Sequence, residues 1–156
     1  MNDFYRTPQA ELQSGGNTRD TFAADSRPFK VSGIGIASLL GSAVAGGVLL
    51  YLNESKRGDT ARGLSLLGLS VLILAIAIAL AFALPPQVPG LLFHLGQMLV
   101  MLQIGSLNQG DDLQRHQAQG HALASNWKAV GLSILVMLAL LAILFPAMLV
   151  FGPQRF

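Results

Sequence analysis

From Leu64 to Leu84 the chain contains no ionisable side chain, and from Ala129 to Phe151 it contains none again, with Ser133 the only polar group inside. A helix rises about 1.5 Å per residue, so roughly 20 apolar residues cross the ~30 Å hydrocarbon core of a bilayer. Inside lipid every backbone polar group must be paired within its own segment, and a helix does this without help. These two stretches are therefore expected to be transmembrane helices, and the rest of the chain must be arranged around them. Composition agrees. Of 156 residues, 52% are hydrophobic and only 12% are charged, about half the charged share of a soluble domain. Mean hydropathy is +0.54. A soluble domain of this size leaves too much of its surface in water to hide so much apolar area. An ordinary soluble enzyme, a disordered chain and a coiled coil are excluded. The absence of Cys removes disulfides, thiolate nucleophiles and Cys-ligated zinc.

Two further apolar blocks run from Ile34 to Leu52 and from about Gly90 to Gly105. The first is broken by Gly33, Gly35, Gly41, Gly46 and Gly47. Read as a helix, it carries Ser38, Ser42 and Gly46 four apart on one face, with Gly41 and Gly47 beside them. Small residues at this spacing let helix backbones approach closely, so these five form a candidate packing seam, within the protein or toward a partner. The second follows Pro85, Pro86 and Pro89, which require a turn before it. It is interrupted by His94, Gln97 and Gln103, which a helix must keep off the lipid or snorkel to an end, so it is placed inside a bundle.

The expected fold is an all-α membrane protein, a small bundle of four hydrophobic helices at 34–52, 64–84, 90–105 and 129–151, within a domain spanning 31–152. Residues 1–30 are polar, lack apolar periodicity and are expected to be a disordered tail. They have neither the basic start nor the apolar core of a secretory leader, and Asn2 after Met1 is no myristoylation signal. Residues 106–128 are expected to be a polar loop.

Lys and Arg accumulate in cytoplasmic loops. If all four blocks cross, the basic residues divide five against five. If instead the Gly-rich first block enters and leaves on one side, they divide nine against one. Three crossing helices plus a re-entrant hairpin is therefore the alternative fold, at the expense of burying irregular backbone in protein. Either way the N-terminal tail is placed in the cytoplasm.

His94 is the ionisable residue inside an apolar block and Gln97 lies three residues on, a spacing that would let them pair as a proton- or ligand-binding site. Asp111, Asp112, His116 and His121 match no metal-ligand spacing and read as a solvated loop. Ser125 or Asn126 suits a helix cap, while Tyr51, Trp127 and Lys128 suit the membrane–water boundary as anchors. Pro146 is expected to kink the last helix. No nucleophile–base pair, phosphate loop or zinc-helix motif is present, and one lone His offers no acid–base couple. An enzyme is not expected, nor are a cofactor, a metal or a nucleic-acid partner.

The stretch LLGSAVAGGVLLYLNESKRG (Leu39–Gly58), followed by two apolar helices and then SNWKAVGL before the last one, resembles a group of uncharacterised small bacterial inner-membrane proteins. The likeness spans about residues 29 to 150, implies a multi-pass protein of the bacterial cytoplasmic membrane, and carries no activity with it. The expectation is a non-enzymatic protein that acts by helix–helix binding to another membrane component or to itself, as an accessory or immunity subunit. The rival expectation is a small oligomeric channel or transporter with His94 and Gln97 facing the pore.

Overall fold

A computed structural model describes residues 22–85 and 87–151. It contains four helices: α1 (Val31–Lys56), α2 (Thr60–Ala83), α3 (Gly90–Ala118) and α4 (Asn126–Phe151). All four are long and apolar enough to cross a membrane, and they form an all-α bundle. The chain is a multi-pass membrane protein.

α1 is not a rod. A straight helix of its 26 residues would hold its ends about 39 Å apart. Instead Phe29 N–H donates to Asn53 Oδ1 at 2.7 Å, and Asn53 Nδ2 donates back to the Phe29 carbonyl at 2.9 Å. The helix reverses at Ser42, whose φ of 77° and ψ of 172° break the helical path. Two antiparallel half-helices, 31–41 and 43–56, result. They touch where the sequence is smallest: a Cβ on Gly46 would overlap Ser38 Oγ and come within 3.2 Å of the Ile34 carbonyl. The hairpin alternative read from the basic residues thus describes α1. From Ala43 to Leu52 the second half rises about 15 Å, about half the hydrocarbon thickness.

This hairpin is the core of the bundle. Among the described residues α1 packs on α2, α3 and α4, α2 meets α3 lightly, and the helix packing of α4 is all against α1. Ile34, Ala37, Ala43, Ala45, Leu49 and Leu50 of α1 are buried with Met101 and Ala129. The outer faces of α2, α3 and α4 expose large apolar side chains such as Leu72, Leu99 and Leu138, as lipid-facing helices do.

Two expected boundaries are corrected. Residues 106–118 are not loop: α3 continues to Ala118. Its apolar pattern ends near Gly105, but its buried face continues as Gly105, Gln109, Leu113 and His116, because polar groups on α1 supply partners there. Gly110 is accommodated within it, and Gly120, at φ +83°, ends it. His121 N–H reaches the His116 carbonyl at 3.2 Å and Gly120 N–H the Gln117 carbonyl at 3.0 Å, a Schellman closure. Gly58 (φ +82°) closes α1 in the same way. The expected disordered tail is corrected in its last part: Phe22 and Pro28 are buried, and 22–30 is strapped across the base of the bundle. Residues 1–21 of that tail lie outside the described residues. α4 remains helical through Pro146.

Candidate functional site

Two polar constellations sit in the otherwise apolar bundle, one at the hairpin tip and one at its base. At the tip the second half-helix begins in the middle of the bundle, and as at any helix start its first N–H groups have no carbonyl within the helix. Gln97 of α3, only 6% exposed, supplies one partner: its Oε1 accepts from Ala43 N–H at 2.9 Å. The neighbouring Gly41 packs so closely on α4 that a Cβ would lie 2.6 Å from the Ser133 carbonyl. Ser42 Oγ is buried without a partner, and Ser38 Oγ returns to the Ile34 carbonyl at 2.9 Å.

At the base, Asn53 bonds Phe29 in both directions, and its Nδ2 also donates to Gln109 Oε1 at 2.8 Å. Gln109 Nε2 donates to Glu54 Oε1 at 2.7 Å. Arg57 bridges two carboxylates, Glu54 at 3.2 Å and Asp112 at 2.6 Å. Glu54 is 1% exposed and its Oε2 has no hydrogen-bond partner. Arg62 of α2 reaches Asn108 of α3 at 2.9 Å. The strap closes over this network: Lys56 Nζ donates to the Arg27 carbonyl at 2.7 Å, Ala124 N–H to the Pro28 carbonyl at 2.8 Å, and His116 Nε2 lies 3.1 Å from the Ser26 carbonyl. Phe22 meets the His116 ring edge-on at 5.7 Å and lies 5.4 Å from the Arg57 guanidinium. Charges this buried are tolerable only when paired and hydrogen-bonded, and the network does that for all but one oxygen.

Beyond the tip, α2 and α3 separate around an apolar groove of about 250 Å³, walled by Ile73, Ile76, Leu80, Leu92, Phe93 and Val100, with Gln97 at its floor. Among the described residues every Lys and Arg (Arg27, Lys30, Lys56, Arg57, Arg62, Arg115 and Lys128) lies at the base, away from the Pro-rich turn.

The candidate residues from the sequence fare differently. Ser38, Gly41, Gly46 and Gly47 are buried, so the small-residue seam is real but spent inside the chain. Gly46 meets Ser38 across the hairpin, Gly41 meets α4, and Gly47 meets Ser70 of α2. The stripe through Ser42 does not exist, because the helix breaks there, and the seam is not open to a partner. His94 and Gln97 do not pair. His94 is exposed and its Nδ1 lies 3.1 Å from its own helix's Gly90 carbonyl, while Gln97 is engaged by Ala43. Gln103, expected inside a bundle, is exposed, since α3 buries Gln97, Met101, Gly105 and Gln109 and Gln103 falls on the opposite face. The anchors are all at the base: Trp127 is 82% exposed, Lys128 is exposed, and Tyr51 is half-buried against Gly63. Ser125 Oγ caps α4 by accepting from Trp127 N–H at 3.3 Å.

Sequence reading missed Glu54, Arg57 and Gln109, and took Asp112 and His116 for solvated residues. The four-residue recurrence of Gly105, Gln109 and Leu113, continuing the Gln97–Met101 face, was the available signal. Among the described residues no group of three or more His, Cys, Asp or Glu is placed to hold a metal ion. The chain matches no family model, no curated protein and no solved structure.

Proposed function

We propose that the chain is a non-enzymatic protein of the bacterial cytoplasmic membrane that acts by binding another membrane component through the far half of its bundle. One observation carries this reading. Among the described residues, α4 does not pack on α2 or α3 past the hairpin tip, and an apolar groove opens between α2 and α3. In the near half the small-residue seam and most of the buried polar network are engaged internally. The far half is where a transmembrane helix of a partner can gain packing contacts, the main source of association energy in lipid. The buried ionisable groups support a structural role, because Glu54, Arg57 and Asp112 engage one another. The basic residues at the base support, by the positive-inside rule, a cytoplasmic base and N-terminal tail.

The test is photo-crosslinking in cells from a probe placed at Phe93 or Ile76, with a probe at Leu135 on the exposed face of α4 as control. A discrete adduct from the groove positions and none from Leu135 is expected. Lipid-only adducts from Phe93 and Ile76, together with a lone protomer after purification in mild detergent, would remove the proposal.

A further inference from the structure

The two ends of the bundle differ in cross-section. Between the base and Ser42 the bundle contains five helical segments, the two halves of α1 with α2, α3 and α4 around them. Among the described residues, only α2, α3 and α4 continue beyond Ser42, and α4 packs on neither of the others. A helix with its side chains is about 10–12 Å across, so the two half-helices add roughly 160–230 Å² of protein cross-section to the base-side leaflet alone. From this asymmetry we infer that the chain is a membrane wedge, with preference for bilayers curved so that the leaflet at its basic end is on the convex side.

A wedge acts on lipid only if it is stiff. The hairpin is closed at its mouth by the Phe29–Asn53 pair and fixed at its tip by Gln97 on Ala43. At its glycines the hairpin is closely packed: a Cβ on Gly35 would come within 2.5 Å of Leu102, one on Gly41 would press on α4, and one on Gly47 would overlap Ser70 of α2. The extra area therefore cannot be relieved by pressing the half-helices closer together, and the lipid must adjust instead. Insertion confined to one leaflet is what makes interfacial helices curvature-sensitive, and a half-depth hairpin is the same perturbation built into a polytopic fold. The inference concerns shape and is independent of which compartment the base faces and of any protein partner.

The test uses the full chain in giant vesicles, where both insertion orientations coexist, with membrane tethers pulled from them. The native chain has no Cys, so one engineered thiol reports one orientation. Asp111→Cys, exposed at the base, labelled from outside with an impermeant dye, marks molecules with the base outward. Gln87→Cys, exposed in the turn at the other end, marks those with the base inward. The expected result is a tether-to-vesicle density ratio above unity for the Asp111 label and below unity for the Gln87 label. Equal ratios for the two labels, or displacement of both in the same direction, would overturn the inference.

Discussion

Replacing Gln97 with Met isolates the interaction that lets an apolar chain reverse inside a membrane. The two side chains are of similar size, and Gln97 is 6% exposed, so the core volume changes little. What changes is the partner of Ala43 N–H, now 2.9 Å from Gln97 Oε1. Ala43 is fully buried and starts a helix, so neither water nor an upstream carbonyl can replace that acceptor. Leaving a buried donor unpaired costs about 1–3 kcal/mol. Interhelical hydrogen bonds in membrane proteins average about 0.6 kcal/mol, because the unfolded chain in lipid also finds partners. A free backbone N–H at a helix break has fewer alternatives, so a loss of about 1.5–3 kcal/mol is expected. Reversible unfolding in mixed dodecylmaltoside–SDS micelles, followed by far-UV circular dichroism, would measure it. Gln103→Met is the control: Gln103 is exposed on the other face of α3 and should change stability by less than about 0.5 kcal/mol. A Gln97→Met variant as stable as the control would refute the reasoning that this amide holds the break.

Four further outcomes follow from the same geometry. Single thiols at Lys30 and Lys56 should react with an impermeant reagent from one side of the membrane and a thiol at Gln87 from the other; α1 as a crossing helix would put Lys30 and Lys56 on opposite sides. Gly47→Ala should destabilise the fold by about 1–3 kcal/mol through overpacking on Ser70, with recovery in the Gly47→Ala/Ser70→Gly double variant. Gly96→Ala and Gly131→Ala, where an added methyl meets nothing within 4 Å, should be neutral or stabilising by up to about 1 kcal/mol. Asn53→Leu removes the bonds to Phe29 and Gln109 and should loosen the strap, seen as faster tryptic cleavage after Lys30; an unchanged cleavage rate would show that Asn53 does not hold it.

What composition and pattern alone determined is the medium and the elements. Stretches such as Leu64–Leu84 have no ionisable group and can be solvated only by lipid, and in lipid only helices satisfy the backbone, so membrane class, helix count and approximate spans follow from local sequence. The Lys and Arg positions also carried the nine-against-one division that set the hairpin beside four crossing helices as an alternative, because charge asymmetry across a membrane can be read without any knowledge of packing. What the sequence could not decide is which surfaces meet. A Gly- and Ser-rich segment is equally compatible with a seam toward a partner and with a hairpin folded on itself; only the positive φ at Ser42 and the Phe29–Asn53 bonds choose the second. Likewise Gln109, Asp112 and His116 read as solvated when considered singly, since a polar side chain is buried only where another element brings its partner. Asn53, Glu54, Arg57 and Ser26 are those partners, remote in the chain from α3. Local sequence sets what a segment can dissolve in, whereas long-range pairing sets what it touches.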